Sequence, residues 1–182
     1  MAMVESIRGE FLRYKELGEK AIAQLDDAAL SAPAPGGGNS ITTICWHMSG
    51  NFRSRFTDFL TSDGEKPWRR RDEEFELRAV SRDELRQKWD AGWTAVLDAL
   101  GGLSDDDLER TVTIRSQGLT VRDALLRSLA HASYHVGQIV YAAKAARGGQ
   151  WQYLSIPPGQ SDQYSRNPAL DKPPAIERSG DR

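Results

Sequence analysis

The chain has 182 residues, with 24 Lys and Arg against 26 Asp and Glu and a formal net charge of −2. This length predicts one domain, and an apolar fraction of 39% suffices for one core. The balanced charge argues against a dedicated nucleic-acid binder, and a single cysteine excludes an internal disulfide, as suits a reducing cytoplasm. No run approaches 18 apolar residues, and charges interrupt the N-terminal segment throughout, so neither a membrane span nor a signal peptide is expected.

Val4, Ile7, Phe11, Tyr14, Leu17, Ala21 and Leu25 recur at steps of three or four, which predicts an amphipathic helix. The stretch from Ala32 to Gly38 holds two prolines and three glycines and reads as a loop. A phosphate loop would continue Gly-Lys-Ser/Thr, whereas Gly38 is followed by Asn39 and Ser40, so a connector ending in an N-cap at one of these two is the better reading. A second helix is expected from about Ser40 to Leu60, with Ile41, Ile44, Cys45, Met48, Phe52, Phe56 and Phe59 in the core.

A long polar connection follows, containing Trp68 and the run Arg69-Arg70-Arg71. Ser81 and Glu84 match a capping box opening a third helix, with Leu85, Trp89, Trp93, Val96 and Leu100 on one face and Gly101-Gly102 as its stop. Ser104–Glu109 reads as a short helical turn, and residues 111–115 as a short extended piece. Thr120 to Asp123 opens a fourth helix, which Gly148-Gly149 ends. The tail from Gln150 is expected to be irregular, and its last ten residues poorly ordered. The fold class expected is all-α, a four-helix bundle with no substantial sheet.

The three histidines are His47, His131 and His135. His131 and His135 stand four apart on the fourth helix, hence on one face. His47 lies midway along the second helix, which can face the fourth. Three imidazoles around an open position describe a catalytic zinc-type site. Their alternative is ordinary core or surface histidines, weakened because no histidine falls elsewhere. Asn51, Asp58 and Gln138 lie along the same stripes and could orient the rings, although Asp58 reads more readily as plain helix polarity.

Other helical metal motifs fail: His131 is followed by Ala132, so no zincin glutamate is built in, and the Glu-x-x-His pattern of di-iron bundles is absent. Cys45 lies about 200° around the helix from His47 and reads as a buried hydrophobe. Arg69 and Arg71 could select an anionic ligand, but a solvated run offset by Asp72-Glu73-Glu74 is the plainer reading. Trp68 could line a pocket mouth or anchor the loop.

One histidine on the second helix and His-x-x-x-His on the fourth resemble the DinB/YfiT-like metalloenzyme superfamily. The segments Phe52–Trp68, His135-Val136-Gly137-Gln138-Ile139, Tyr153-Leu154-Ser155-Ile156-Pro157 and Gly159-Gln160-Ser161 are similar to its DUF1572 branch. The resemblance spans roughly residues 4–165. It implies a bundle domain over 1–165 in mirrored up-and-down order, a tail over 166–182, a homodimer, and a divalent zinc or nickel ion on His47, His131 and His135. It further implies a thiol-dependent transferase-type reaction on a small molecule, with a low-molecular-weight thiol as cofactor. A metal-dependent hydrolase on the same site, or a non-catalytic, stress-related metal-binding dimer, are the alternatives.

Overall fold

The computed structural model describes residues 2–34 and 36–169. It is mostly helical. Four long helices, α1 (Met3–Ile22), α3 (Ile41–Phe56), α4 (Arg82–Gly101) and α5 (Val121–Arg147), are accompanied by the short helices α2 (Asp27–Ser31), between α1 and α3, and α6 (Ser161–Ser165), after α5. Strands β1 (Thr111–Ile114) and β2 (Gln117–Thr120) form an antiparallel hairpin. α3 packs chiefly on α4, and α1 on α5.

Several helix starts follow their caps. The side chains of Ser40, Ser81 and Thr120 accept from the N–H groups of Thr43, Glu84 and Asp123. These bonds satisfy donors that the first helical turn leaves free. α5 ends where Gly148 takes φ 57, a conformation a side chain would resist.

The core is aromatic at its centre. Phe11, Phe52, Phe56 and Trp93 meet edge-on, with the rings of Phe52 and Trp93 5.0 Å apart. α3 and α4 cross closely, because a Cβ at Gly92 would lie 2.7 Å from Ser49 Cα.

Four expectations need correction. The first helix ends at Ile22, before Leu25, because Asp26 caps the separate one-turn helix α2 by accepting from Ala29 N–H at 2.8 Å. The second predicted helix stops at Phe56 instead of Leu60, since Thr57 is extended and Asp58 takes φ 48. The extended piece at 111–115 has a partner strand, so the chain is not purely helical. The turn at Arg115 and Ser116 has positive φ at both residues, and the Asp63 carboxylate accepts both of their N–H groups, at 2.9 and 2.7 Å. The tail holds a helical turn, α6, and its last ten residues lie outside the described residues. No helix among the described residues is long and apolar enough to cross a membrane.

Candidate metal centre

α3 and α5 each carry two stripes. On α3, Cys45, Met48, Phe52 and Phe56 turn into the core, while His47, Asn51 and Arg55 recur at four-residue steps on a different face. On α5, Ala132, Val136 and Ile139 are buried, while Arg127, His131 and His135 form the second stripe. The two polar stripes bring the three histidines together, so that one nitrogen from each lies within 4.8 Å of the others. That is close enough to bind a metal ion.

The hydrogen bonds assign the rings. His47 Nδ1 lies 2.9 Å from Glu74 Oε2. A carboxylate has no proton to give, so Nδ1 donates and Nε2 keeps its lone pair. Gln138 Oε1 accepts from His135 Nδ1 at 2.8 Å, which leaves His135 Nε2 as a lone pair too. That atom is buried and without a partner, as is His131 Nδ1. His47 Nε2 and His131 Nε2 approach to 3.2 Å. Without a cation, a proton must lie between them. Nitrogens bound at 2.0–2.1 Å to one tetrahedral ion would stand about 3.3 Å apart, so this spacing fits a shared ion.

Glu74 is held by an arginine. Arg69 meets it through two parallel bonds, Nε to Oε1 at 2.8 Å and Nη2 to Oε2 at 2.9 Å. The Arg69 side chain is 1% exposed. Burial alone would raise the Glu74 carboxyl, but the bonds from Arg69 and then His47 outweigh it and hold it below the ordinary range. Gly50 leaves room for this carboxylate, since a Cβ there would come 2.6 Å from Glu74 Cδ. Phe75 covers His47 with ring centres 4.8 Å apart.

Burial pushes His131 down to about 3, with further repulsion from His135 and His47. Burial likewise lowers His135 to about 4. Both rings are therefore neutral at pH 7, the state a metal requires. Cys45 is fully buried, and desolvation drives its thiol far above the usual range.

The other sequence candidates fall in different places. Asn51 lines a cleft together with His131. Asp58 sits in the turn beyond α3, where its carbonyl accepts from the N–H groups of Thr61 and Ser62, so the polar stripe of the helix does not extend to it. Arg69 is not part of a solvated run: it is buried on Glu74. Arg71 stacks over Phe75 at 5.0 Å, and Trp68 is 49% exposed with Arg53 over its ring. The sequence reading missed Glu74 altogether, having treated it as a counter-charge to the arginines.

A helical protein with three convergent imidazoles, and no cysteine or carboxylate joining them among the described residues, is a candidate metalloprotein. The chain belongs to the DUF1572 family, described as a protein of unknown function, whose model matches residues 1–160. The comparison with curated proteins finds no match.

Proposed function

We propose that this protein is a metal-dependent enzyme of the DinB/YfiT-like type, with its four long helices in mirrored up-and-down order. The reaction read from the site is a thiol-dependent transfer to a small molecule in the cytoplasm. The observation that carries the reading is that His47 and His135 each spend Nδ1 on an oxygen acceptor, which leaves an Nε2 lone pair on each ring within a three-histidine cluster no wider than 4.8 Å. Oriented rings of this kind are what metal ligation needs.

His47, His131 and His135 would hold one divalent ion, with zinc or nickel the best match to three imidazoles. Such an ion lowers the pKa of a bound thiol or water and so supplies a nucleophile at neutral pH. The chain's own residues prepare the place. Glu74 accepts the hydrogen bond from His47 Nδ1–H and fixes its tautomer. Arg69 balances the Glu74 charge, and Gln138 turns the His135 ring. Since Cys45 is buried, the thiol must come from outside the chain. The exposed side chains Leu126, Tyr134 and Tyr141 on α5 offer an apolar contact for the homodimer this reading includes.

Metal analysis of the purified chain tests the first step. One equivalent is expected, and its loss in each of His47→Ala, His131→Ala and His135→Ala. Titration of the cobalt-loaded protein with a small thiol tests the second, through a sulfur-to-metal charge-transfer band. A small anion that reaches the metal where no thiol does would put hydrolysis ahead. If neither reaches it, the non-catalytic reading prevails.

A further inference from the structure

Beside His131, between α3, α5 and the β-hairpin, lies a cleft of about 310 Å³. This is at the small end of ligand pockets. Asn51 and Arg55 line it from α3, Arg115 from the hairpin tip, and Arg127, Ser128 and His131 from α5. No carboxylate is among its lining residues. We propose that this cleft binds a small molecule through an oxyanion, a carboxylate or a phosphate, with Arg127 as the principal anchor.

The three guanidinium groups are not equivalent. Arg55 and Arg115 already share Glu65, at 3.2 and 3.0 Å, and Arg55 also donates to the Gly64 carbonyl. Glu65 and, at the turn, the Asp63 carboxylate stand against Arg55 and Arg115, so Arg127 gives the wall its positive balance. Arg127 makes no hydrogen bond or ion pair with any described residue. Its planar fork is free to take two oxygens at once. Ser128, buried next to it, and Asn51 add neutral donors at the same wall.

Position then links the anchor to the histidines. Arg127 precedes His131 by four residues, so both lie on one face about 6 Å apart along the helix axis. A molecule of a few non-hydrogen atoms, held by its oxyanion at Arg127, extends its other end to the histidine cluster. This names the substrate class for the proposed enzyme and rests on that reading only for the reacting end. Oxyanion capture itself requires no metal.

The full-length, metal-free chain is titrated at low ionic strength with succinate and, separately, with inorganic phosphate. Binding is followed by calorimetry and by the Nε–Hε resonance of Arg127. Saturable binding of at least one anion, with a shift of that resonance, is expected. The tighter of the two assigns the ligand as carboxylate or phosphate. Arg127→Gln should weaken it at least about tenfold, corresponding to one charge-assisted bond. Arg127→Lys, which keeps the charge without the fork, should fall between. Arg86→Gln, on an 80% exposed side chain of α4, should change the affinity less than about twofold. If neither anion saturates the protein, or if Arg127→Gln binds as the parent does, the inference is overturned. The metal content of Arg127→Gln, measured in parallel, separates the two proposals. Failure of the parent chain to bind metal would sink the enzymatic reading while the anion titration still reports on the cleft.

Discussion

The two stripes of α3 differ less in location than in completeness. On one, Phe52 and Phe56 meet Phe11 and Trp93, and every ring finds its contacts inside the chain. On the other, one turn away, His47 joins a cluster in which two buried ring nitrogens have no partner. The aromatic face is closed by packing and leaves only an indole N–H, Trp93 Nε1, without a partner, whereas the histidine face leaves two ring nitrogens unpartnered on neighbouring imidazoles, where an added cation would satisfy them. Buried polar groups without partners cost stability, so a fold keeps them where another use outweighs the cost.

Truncating Trp93 sets the scale of the first face. Trp93→Ala removes a 1% exposed ring from the centre of the aromatic cluster and should destabilise the protein by about 3–5 kcal/mol in urea. Below its lowered transition, the variant should still bind one equivalent of metal. Loss of metal from the folded variant would mean that the two faces are not separable.

Glu74→Gln tests the second face. The amide keeps the shape but cannot hold the His47 proton as a carboxylate does, so metal affinity should drop about 10–100-fold. The buried Arg69 loses its paired charge, at a cost of about 3 kcal/mol. Gly50→Ala approaches the same carboxylate sterically, leaving both charges in place. It should lower metal affinity as well, with Trp93 fluorescence unchanged. An undiminished affinity in both variants would remove Glu74 from the site.

Acid should act on the histidine face. In the metal-free protein, His131 and His135 stay neutral until pH falls to about 3 and 4, while the same residues in the unfolded chain take up protons near pH 6.5. Between these limits the unfolded state binds more protons, so stability rises with pH and falls as the medium is acidified below 6.5. The melting temperature of chelator-treated protein should drop across this window, and the drop should flatten in His131→Gln/His135→Gln. An equal slope in the double variant would place the pH dependence elsewhere.

The residues differ in how far the sequence could reveal them. Helix spacing is local, so His131 and His135 share a face by counting, and the caps at Ser40, Ser81 and Thr120 mark their helix starts directly. Glu74 carries no such signal. It reaches His47 from the single 3-10 turn Asp72–Phe75, 27 residues away, and its identity as a buried partner depends on the fold that brings it there. Arg69 reads as surface charge for the same reason. α2 and α6, of five residues each, are too short to display a helical period. The hairpin was half hidden because Arg115-Ser116 lacks the Asn-Gly signature of a tight turn.

That turn supplies the smallest prediction. Arg115 and Ser116 hold φ values of 53 and 61 without being glycine, at the edge of the cleft beside His131. Left-handed backbone costs an ordinary residue about 1–2 kcal/mol, and glycine returns part of this relief through its greater freedom when unfolded. Ser116→Gly should therefore stabilise the chain by about 0.5 kcal/mol. The N–H groups that Asp63 accepts are unchanged by the substitution, so the hairpin keeps its tether and Arg115 its place on the wall. Metal content and anion affinity should stay as in the parent. A stabilised protein with weakened anion binding would instead mean that the strained turn is what aims Arg115 into the cleft, and would tie backbone strain on the polar face to its use.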